Sequence, residues 1–182
     1  MKLIGLTGLN AAGKGTVADI LKNKGYVYHS LSDIIREEAT ALGLDHSREN
    51  LISTGNKLRQ DHGPGALGKM IAEKILAAPE KDYVVDSIRN PFEIQELKKL
   101  KGFFIIGVDA PVELRFERSK KRARVGYEKT LQDFIDIEQK ENSDDPKKQQ
   151  LFECLKQADT IIINDKGIAE LTKQVEVILS KS

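Results

Sequence analysis

The stretch GLTGLNAAGKGT, residues 5–16, constrains the fold of this chain more than any other part of the sequence. It follows the apolar opening MKLI and leads into TVADILKNKG, whose apolar residues recur at helical spacing. Gly8 and Gly13 are separated by four residues, and Lys14 follows them. Glycines let successive N–H groups point inward, and the following helix adds its positive dipole end. The order of strand, loop and helix therefore predicts a phosphate-binding site.

We expect the residues of this loop to surround the phosphates of a nucleotide, namely Gly8, Asn10, Ala11, Ala12, Gly13, Lys14, Gly15 and Thr16. The general motif places Ser or Thr directly after the lysine, where the hydroxyl ligates magnesium. Here Gly15 takes that position and Thr16 comes next. A tight turn that merely requires glycine is the alternative, and it explains neither Lys14 nor the spacing of the glycines.

Composition limits the kinds of protein to consider. With 182 residues, we expect one domain covering 1–182. A net charge of +1 provides no broad basic field, so a nucleic-acid partner is not expected. The single cysteine, Cys154, excludes an intrachain disulfide and a metal site built on cysteines. No apolar run approaches the ~20 residues of a membrane span, so we expect no membrane partner and a cytoplasmic location. Monomer and homodimer both remain open.

Five short segments rich in β-branched and aromatic residues read as strands, several of them apolar throughout, as in sheets covered on both faces. They are Lys2–Thr7, Tyr26–His29, Tyr83–Asp86, Phe103–Asp109 and Thr160–Asn164. Stretches with helical spacing lie between them. We therefore predict an α/β fold with a five-stranded parallel doubly wound sheet in three α/β/α layers.

The interval between the second and third strands is longer than one crossover helix requires. Its helical stretches predict an inserted helical unit over residues 31–79, which leaves a core of 1–30 and 80–182. The polar stretch KENSDDPKKQQ, residues 140–150, predicts an exposed loop.

The loop variant GKGT is typical of adenylate kinase and its nucleoside-monophosphate kinase relatives, which this chain resembles. In that family magnesium is held largely through water, so a hydroxyl directly after the lysine is not required. The resemblance implies ATP as the phosphoryl donor and Mg²⁺ as its companion ion. Thr16 and Asp86 are the residues expected to meet the magnesium, mainly through water molecules.

Two further stretches resemble the acceptor-binding elements of that family. LSDIIRE resembles the element TGDMLR, which implies that Arg36 binds an acceptor phosphate and that Asp33 lies near the transfer site. YVVDSIRNP resembles LDGFPR, which implies a magnesium-facing Asp86 and an acceptor-binding Arg89, although the gap between them is one residue shorter here. The alternatives are an exposed ion pair between Asp33 and Arg36 and a turn-capping Asp86.

The stretch SRENLISTGNKLRQDHGPGALG, together with SIRNP, looks like a group of kinase-like P-loop proteins. Members of that group resemble dephospho-CoA kinase and also occur beside dCMP-deaminase-type domains. This chain lacks the His/Cys zinc signature that such a deaminase needs. Arg59 is the candidate for a third acceptor contact, with a purely structural role as the alternative.

The stretch ELRFERSKKRARVG, residues 113–126, concentrates basic residues on one helix. Arg115, Arg118 and Arg122 would share a face, and like charges on one face call for an anionic partner such as a triphosphate. By its position this stretch resembles the start of the adenylate-kinase lid. The resemblance implies a short lid at about 118–130, with Arg118, Arg122 and Arg124 neutralising charge during transfer.

A solvated basic face and a nucleic-acid patch are the alternatives for this helix, and the absence of interleaved aromatic residues disfavours the second. The helix that would return from the lid is acidic and includes Asp133, Asp136, Glu138 and Glu141. We hypothesise that these acids pair with the arginines when no nucleotide is bound.

The stretch IIINDKGIAEL follows the last strand, and in the resembling family this turn contacts the donor adenine through backbone groups. Asn164 is the residue expected to do so here. NDKG does not match the Asn-Lys-x-Asp pattern that reads guanine, which favours ATP.

Taken in order along the chain, these elements predict an ATP-dependent nucleotide kinase. It would transfer the γ-phosphate to a nucleoside monophosphate or a similar phosphorylated nucleotide, with Lys14, Asp86 and the lid arginines as catalytic residues. One alternative phosphorylates a hydroxyl, as dephospho-CoA kinase does, with Asp33 as the base. Another is a module that binds ATP as a sensor without turning it over.

Overall fold

The computed structural model describes residues 1–121 and 130–181. Five strands form one parallel sheet in the order β2-β3-β1-β4-β5. The strands are β1 (Leu3–Gly8), β2 (Val27–Ser30), β3 (Tyr83–Asp86), β4 (Phe103–Asp109) and β5 (Thr160–Ile163). The predicted parallel sheet is confirmed.

Nine helices connect and flank the strands within the described part of the chain. They are α1 (Lys14–Asn23), α2 (Leu31–Ala41), α3 (Arg48–His62), α4 (Ala66–Leu76), α5 (Pro91–Lys98), α6 (Val112–Lys121), α7 (Leu131–Glu141), α8 (Leu151–Lys156) and α9 (Ile168–Leu179). None of these helices has both the length and the apolar character to cross a membrane.

Side chains alternate between the two faces of the sheet and so build two cores. Tyr83 and Val85 pack with helices α2, α3, α4, α5 and α8 on one face. Val84 lies between them in sequence and packs with α1 and α9 on the other face. Both faces are therefore covered, which confirms the three-layer α/β/α arrangement.

The central strand β1 places the glycine loop at the middle of the sheet edge. Its partners are β3 on one side and β4 on the other, so the chain changes direction along the sheet at this strand. In open α/β sheets, ligands bind beyond the carboxyl ends of the strands at such a switch point. Gly8 ends β1 at that point and begins the loop.

The predicted insertion over 31–79 contains three helices, and α4 packs tightly into the core. Leu67, Ile71 and Ile75 of α4 are buried in the same apolar cluster as Ile94 and Leu97 of α5. This helix thus acts as the crossover between β2 and β3, whereas α2 and α3 extend the unit beyond it. The boundaries of the insertion remain a prediction.

The expectation of an exposed loop over 140–150 is wrong in part. Helix α7 continues to Glu141, and Gln149 is only 8% exposed. The buried Asn90 side chain donates hydrogen bonds to the carbonyls of Pro146 (2.6 Å) and Lys148 (2.8 Å). The loop between α7 and α8 is therefore fastened against the start of α5.

Candidate active site

The glycine loop has a backbone that only glycine permits at two positions. Gly8 has φ +144° and Gly13 φ +107°. A Cβ on Gly8 would lie 2.0 Å from the carbonyl oxygen of Val108, and one on Gly13 would lie 2.2 Å from Nδ2 of Asn164. Both the conformation and the space therefore exclude a side chain, as the sequence motif requires.

Lys14 begins helix α1 and folds back over the loop. Its ammonium group donates to the carbonyl oxygens of Gly8 (2.8 Å) and Leu9 (3.0 Å). Gly13 precedes the helix, so no side chain caps it, and its first turn carries no acidic residue. Because the first N–H groups of a helix have no partner within it, this helix end and the lysine together present donors and positive charge to an anion.

Asn164 directly follows β5 and holds the glycine loop in place by hydrogen bonds. This residue is 7% exposed, and its Nδ2 donates to the carbonyl of Ala12 (2.8 Å). Its own carbonyl accepts a hydrogen bond from Nη2 of Arg118 (2.9 Å), whose Nη1 lies 3.4 Å from the same Ala12 carbonyl. Arg118 therefore contacts the loop, and its role as a lid arginine stays a prediction.

A cavity of about 420 Å³ opens beside this part of the loop. Its lining includes Gly13, Thr16, Arg118, Lys121, Asn164, Lys166 and Ile168. The cavity combines cationic side chains with an apolar one next to a loop suited to phosphates. These are the features expected of a pocket for the base and sugar of a nucleotide.

The other arginines of the basic stretch 113–126 divide into two groups. Arg122, Arg124 and most of the predicted lid at 118–130 lie outside the described residues. The expectation that Arg115 shares a triphosphate-binding face is wrong, because this side chain is only 4% exposed. Its guanidinium donates to Glu138 (2.6 Å) and to the carbonyl of Asn10 (3.3 Å).

Two acids of α7 contact the loop, a role that the sequence analysis did not predict. Oε1 of Glu138 accepts the backbone N–H of Asn10 (3.2 Å) as well as the Arg115 guanidinium. Oε2 of Glu141 accepts the side-chain amide of Asn10 (2.9 Å), and its Oε1 pairs with Arg48. Two acids of α7 thus pair with Arg115 and Arg48, and pairing of the α7 acids with Arg122 and Arg124, which lie outside the described residues, stays a hypothesis.

Asp86 lies at the carboxyl end of β3, next to the loop. The segment after it is hydrogen-bonded to β1, since Thr7 Oγ1 donates to the carbonyl of Ile88 (2.9 Å). Asp86 is 7% exposed and accepts hydrogen bonds from the Ser87 N–H (2.5 Å) and the Tyr28 hydroxyl (3.2 Å). Burial, reinforced by the Asp86 charge, raises the pKa of Tyr28 to about 12, so the hydroxyl remains a donor at neutral pH.

Strained backbone conformations occur in the glycine loop and directly after Asp86. Among the described residues, the non-glycine positions with positive φ are Ala11 (58°) in the loop and Ser87 (65°) directly after Asp86. Such conformations are uncommon outside glycine and cluster at functional sites. The two strained residues thus belong to the two segments that the sequence singled out.

Arg89 follows Asp86 and is fixed at both its backbone and its side chain. Its N–H donates to Oε2 of Glu93 (2.9 Å), and its Nη1 donates to Oε1 of Gln149 (2.9 Å). Burial lowers the pKa of the guanidinium, while the nearby charges of Glu141 and Asp86 act to raise it. A partly buried arginine with an oriented side chain is a suitable ligand for an acceptor anion.

Arg59 is buried, which contradicts the expectation that it contacts an acceptor and fits the structural alternative. Its side chain is buried at 1% exposure, and its Nε (3.0 Å) and Nη2 (2.7 Å) both donate to Oε1 of Glu93. Oε2 of the fully buried Glu93 accepts the N–H groups of Arg89 (2.9 Å) and Asn90 (3.0 Å). Arg59 therefore acts on Arg89 through Glu93. The pattern Asn90-Pro-Phe-Glu93, a capping box, was the signal that could have identified Glu93.

Asp33 and Arg36 lie on the first turns of α2 and pair with each other at 2.6 Å. Both side chains are exposed, Arg36 at 40% and Asp33 at 52%. The arrangement is that of a surface ion pair, and contact of either residue with an acceptor stays a prediction.

A second, larger cavity of about 1360 Å³ lies between α3 and α7. Basic and acidic side chains line it together, namely Arg48, Glu49, Lys57, Asp61, Lys140 and Glu141, with Ile52 and Ile137 as apolar members. Arg48 was not selected from the sequence, because nothing in its local spacing distinguishes it from other exposed arginines.

No three carboxylate, imidazole or thiol side chains within 1–121 and 130–181 cluster as a metal site would require. Thr16 lies on the first turn of α1 and Asp86 at the adjacent strand end. This pair fits a magnesium ion held mainly by a nucleotide and by water, and does not fit an ion held by protein side chains alone.

The sheet topology and the glycine loop define a P-loop kinase-like fold. The solved structure of TT1252 from Thermus thermophilus is similar, with a TM-score of 0.64, 20% identity and coverage of 99% of this chain and 97% of that chain. Shikimate kinase from Acinetobacter baumannii, solved in complex with shikimate, is similar at a TM-score of 0.58 and 18% identity, covering 100% of this chain and 95% of that one. Likeness at this level of identity concerns the fold.

Sequence comparison defines the family. Residues 4–149 match the AAA domain family. A UPF0200 protein of Pyrococcus abyssi is 34% identical over 184 residues, covering 98% of this chain and 96% of that protein. The chain belongs to the UPF0200 family and carries an AAA domain.

Proposed function

We propose that this protein is an ATP-dependent kinase that transfers the γ-phosphate of ATP to a phosphorylated nucleotide-like acceptor, with nucleoside monophosphates as the first candidates. The observation that carries the proposal is the presence of two separate cationic elements near Asp86. The glycine loop with Lys14 is one of them, and Arg89, whose guanidinium is oriented by Gln149, is the other. A transfer reaction between two phosphorylated molecules needs both.

The donor would bind with its phosphates in the loop and its base and sugar in the 420 Å³ cavity. Lys14 would exchange its loop carbonyls for the β- and γ-phosphates, which are stronger partners for an ammonium group. Arg118 would add positive charge above the loop, where it contacts the carbonyl oxygens of Ala12 and Asn164. Asn164 would maintain the conformation of the loop through its hydrogen bond to the Ala12 carbonyl.

Magnesium bound to the nucleotide supplies charge neutralisation to the phosphates during transfer. Asp86 would hold the hydration shell of this ion, because each of its carboxylate oxygens has one hydrogen bond and therefore a free lone pair. Tyr28 keeps the carboxylate oriented by donating to Oδ2.

The acceptor would lie in the cleft between α3 and α7. Arg89 does not line this cavity, but the charges of its lining residues Arg48 and Glu141 act on the Arg89 guanidinium, which would orient the acceptor phosphate. A phosphate oxygen is already an anionic nucleophile, so this reaction requires positioning and charge stabilisation more than a general base. The contacts of Arg89 with Glu93 and Gln149 hold it ready for that role, since an oriented arginine loses less freedom on binding.

A second candidate is phosphorylation of a hydroxyl, as in dephospho-CoA kinase. The observation that favours it is the exposed carboxylate of Asp33 on the first turn of α2, which could act as the base that a hydroxyl requires. A module that binds ATP without transfer would need only the donor side, so it does not account for the oriented Arg89.

The test is ADP release from Mg·ATP in the presence of each ribo- and deoxyribonucleoside monophosphate and of dephospho-CoA. Lys14→Ala serves as the blank, and Lys99→Ala is the matched control, because Lys99 is an exposed lysine that pairs with Glu96 far from the loop. We expect one acceptor to support turnover that Lys14→Ala loses and Lys99→Ala keeps. ATP binding without turnover for any acceptor would overturn the proposal in favour of a sensor.

A further inference from the structure

Three arginines lie on the acceptor side, and they differ in how their charge is balanced. Arg59 is paired with Glu93 in the core. Arg89 donates to a neutral amide, that of Gln149, and Arg48 pairs with Glu141. Arg48 also acts through its charge on Arg89, where it lowers the pKa, so the two guanidinium groups share one electrostatic environment.

Glu141 lies between these elements and binds to both. Nε and Nη2 of Arg48 each approach its Oε1 at 2.7 Å, while its Oε2 accepts the Asn10 amide at 2.9 Å. Its side chain is only 9% exposed, whereas that of Arg48 is 44% exposed. The charge of Glu141 also reaches Arg89, whose pKa it acts to raise. One carboxylate thus connects α3, the glycine loop and the surroundings of Arg89.

The position of Glu141 on its own helix does not favour a carboxylate. It is the last residue of α7, and negative charge at a helix C-terminus opposes the helix dipole by roughly 0.3–1 kcal/mol. Asp136 on the same helix is exposed and, among residues 1–121 and 130–181, accepts a hydrogen bond from the Gln132 side chain (2.7 Å), as is usual for a surface acid. The location of Glu141 is therefore set by its cationic and amide partners.

We propose that Glu141 is an internal anion that occupies the acceptor's phosphate position and that an incoming phosphate monoester displaces it from Arg48. Arg48 then joins Arg89 in binding the acceptor, a role not assigned to it by any other observation. The identity of the ligand as a phosphate monoester rests on the proposed function.

Charge favours the displacement of Glu141 by a phosphate monoester, and few contacts are lost when Glu141 leaves Arg48. A phosphate monoester brings close to two negative charges and three acceptor oxygens, against one charge and two oxygens for the carboxylate. The Arg48–Glu141 pair is half exposed on its arginine side, so solvent weakens the attraction there although the carboxylate itself is buried. Because Glu141 also binds Asn10, its departure would release a loop residue, so acceptor binding and the donor loop would be coupled.

The test compares Glu141→Gln with Asp136→Asn, which removes the same charge from an exposed position on the same helix. Inorganic phosphate is titrated calorimetrically into each protein after Mg·AMP-PNP has saturated the loop. We expect Glu141→Gln to bind phosphate about two- to tenfold more tightly, the equivalent of an ion pair of this exposure. Asp136→Asn should match the wild type, and Arg48→Gln added to Glu141→Gln should abolish the gain.

Unchanged or weaker phosphate binding by a folded Glu141→Gln would overturn the inference and make Glu141 a structural link. If that variant does not fold, the NMR resonance of the Arg48 Nε–H group in the wild-type protein provides the test. This resonance is assigned by its loss in Arg48→Lys. We expect the resonance to shift when phosphate is added. The proposal is refuted if the resonance stays fixed while phosphate binds, or if phosphate does not bind at all. The resonance can be followed without nucleotide, so a failure of Lys14-dependent AMP-PNP binding counts against the proposed function separately.

Discussion

The buried pair of Arg59 and Glu93 allows the sharpest test of how the acceptor side is built. Arg59 is 1% exposed and Glu93 0%, and the carboxylate accepts four hydrogen bonds. Two of these come from the Arg59 guanidinium and two from backbone N–H groups at Arg89 and Asn90. The proposed perturbations are Glu93→Gln, Arg59→Met and the two together.

The expected costs follow from what each change leaves buried. Glu93→Gln leaves the guanidinium in the core without its carboxylate, and breaking a buried pair in this way costs about 3–5 kcal/mol. Arg59→Met leaves the carboxylate with its two backbone donors, so we expect a smaller loss of about 1.5–3 kcal/mol. The double variant buries no unpaired charge and should cost at least about 1 kcal/mol less than the sum of the single changes.

The assay is urea unfolding followed by far-UV circular dichroism, with the free energy of unfolding extrapolated to water. Glu96→Gln is the matched control, since it makes the same change on the same helix at a pair with exposed Lys99, where about 1 kcal/mol or less is expected. A Glu93→Gln variant no less stable than this control would refute the reasoning, as would strictly additive costs.

Two further expectations concern the loop and the pH dependence. Asn164→Ala removes the hydrogen bond to the Ala12 carbonyl, so we expect Mg·ATP to bind about three- to tenfold more weakly with the fold retained, and unchanged affinity by calorimetry would contradict this. Burial lowers the pKa of His29, so the unfolded chain takes up a proton first as the pH falls below 6.5, and stability is lost in that direction. His29→Asn should therefore lose less stability than the wild type between pH 7 and 5, and equal losses in urea unfolding would argue against this origin.

The sheet and the loop could be predicted because their signals are local. Strands such as Tyr83–Asp86 are runs of apolar, β-branched residues, and the glycine loop depends on a spacing visible within nine positions. The structure confirms both. Their geometry is determined by backbone conformation and by burial on both faces, which neighbouring residues already specify.

The arginines were harder to place because their burial depends on distant acids. Arg115 and Arg118 are three residues apart on one helix, yet the first is buried against Glu138 and the second lies over the loop. Arg59 likewise turns inward because Glu93 lies across the core. Local spacing gives the face of a helix, but it does not show which acid from another element will meet that face. The roles of Arg122 and Arg124 stay predictions.

The place of β1 in the sheet has a consequence for how this protein is made. β1 precedes the other strands in the chain, yet its Leu3 pairs with both Tyr83 and Phe103, so it waits for most of the chain before gaining either neighbour. Sheets built from such distant parallel pairings fold slowly and leave apolar strands uncovered meanwhile. During synthesis the segment LIGLTG would need protection from aggregation until β3 and β4 have left the ribosome. Asn164 emerges later still, so the loop takes its final shape among the last steps of folding.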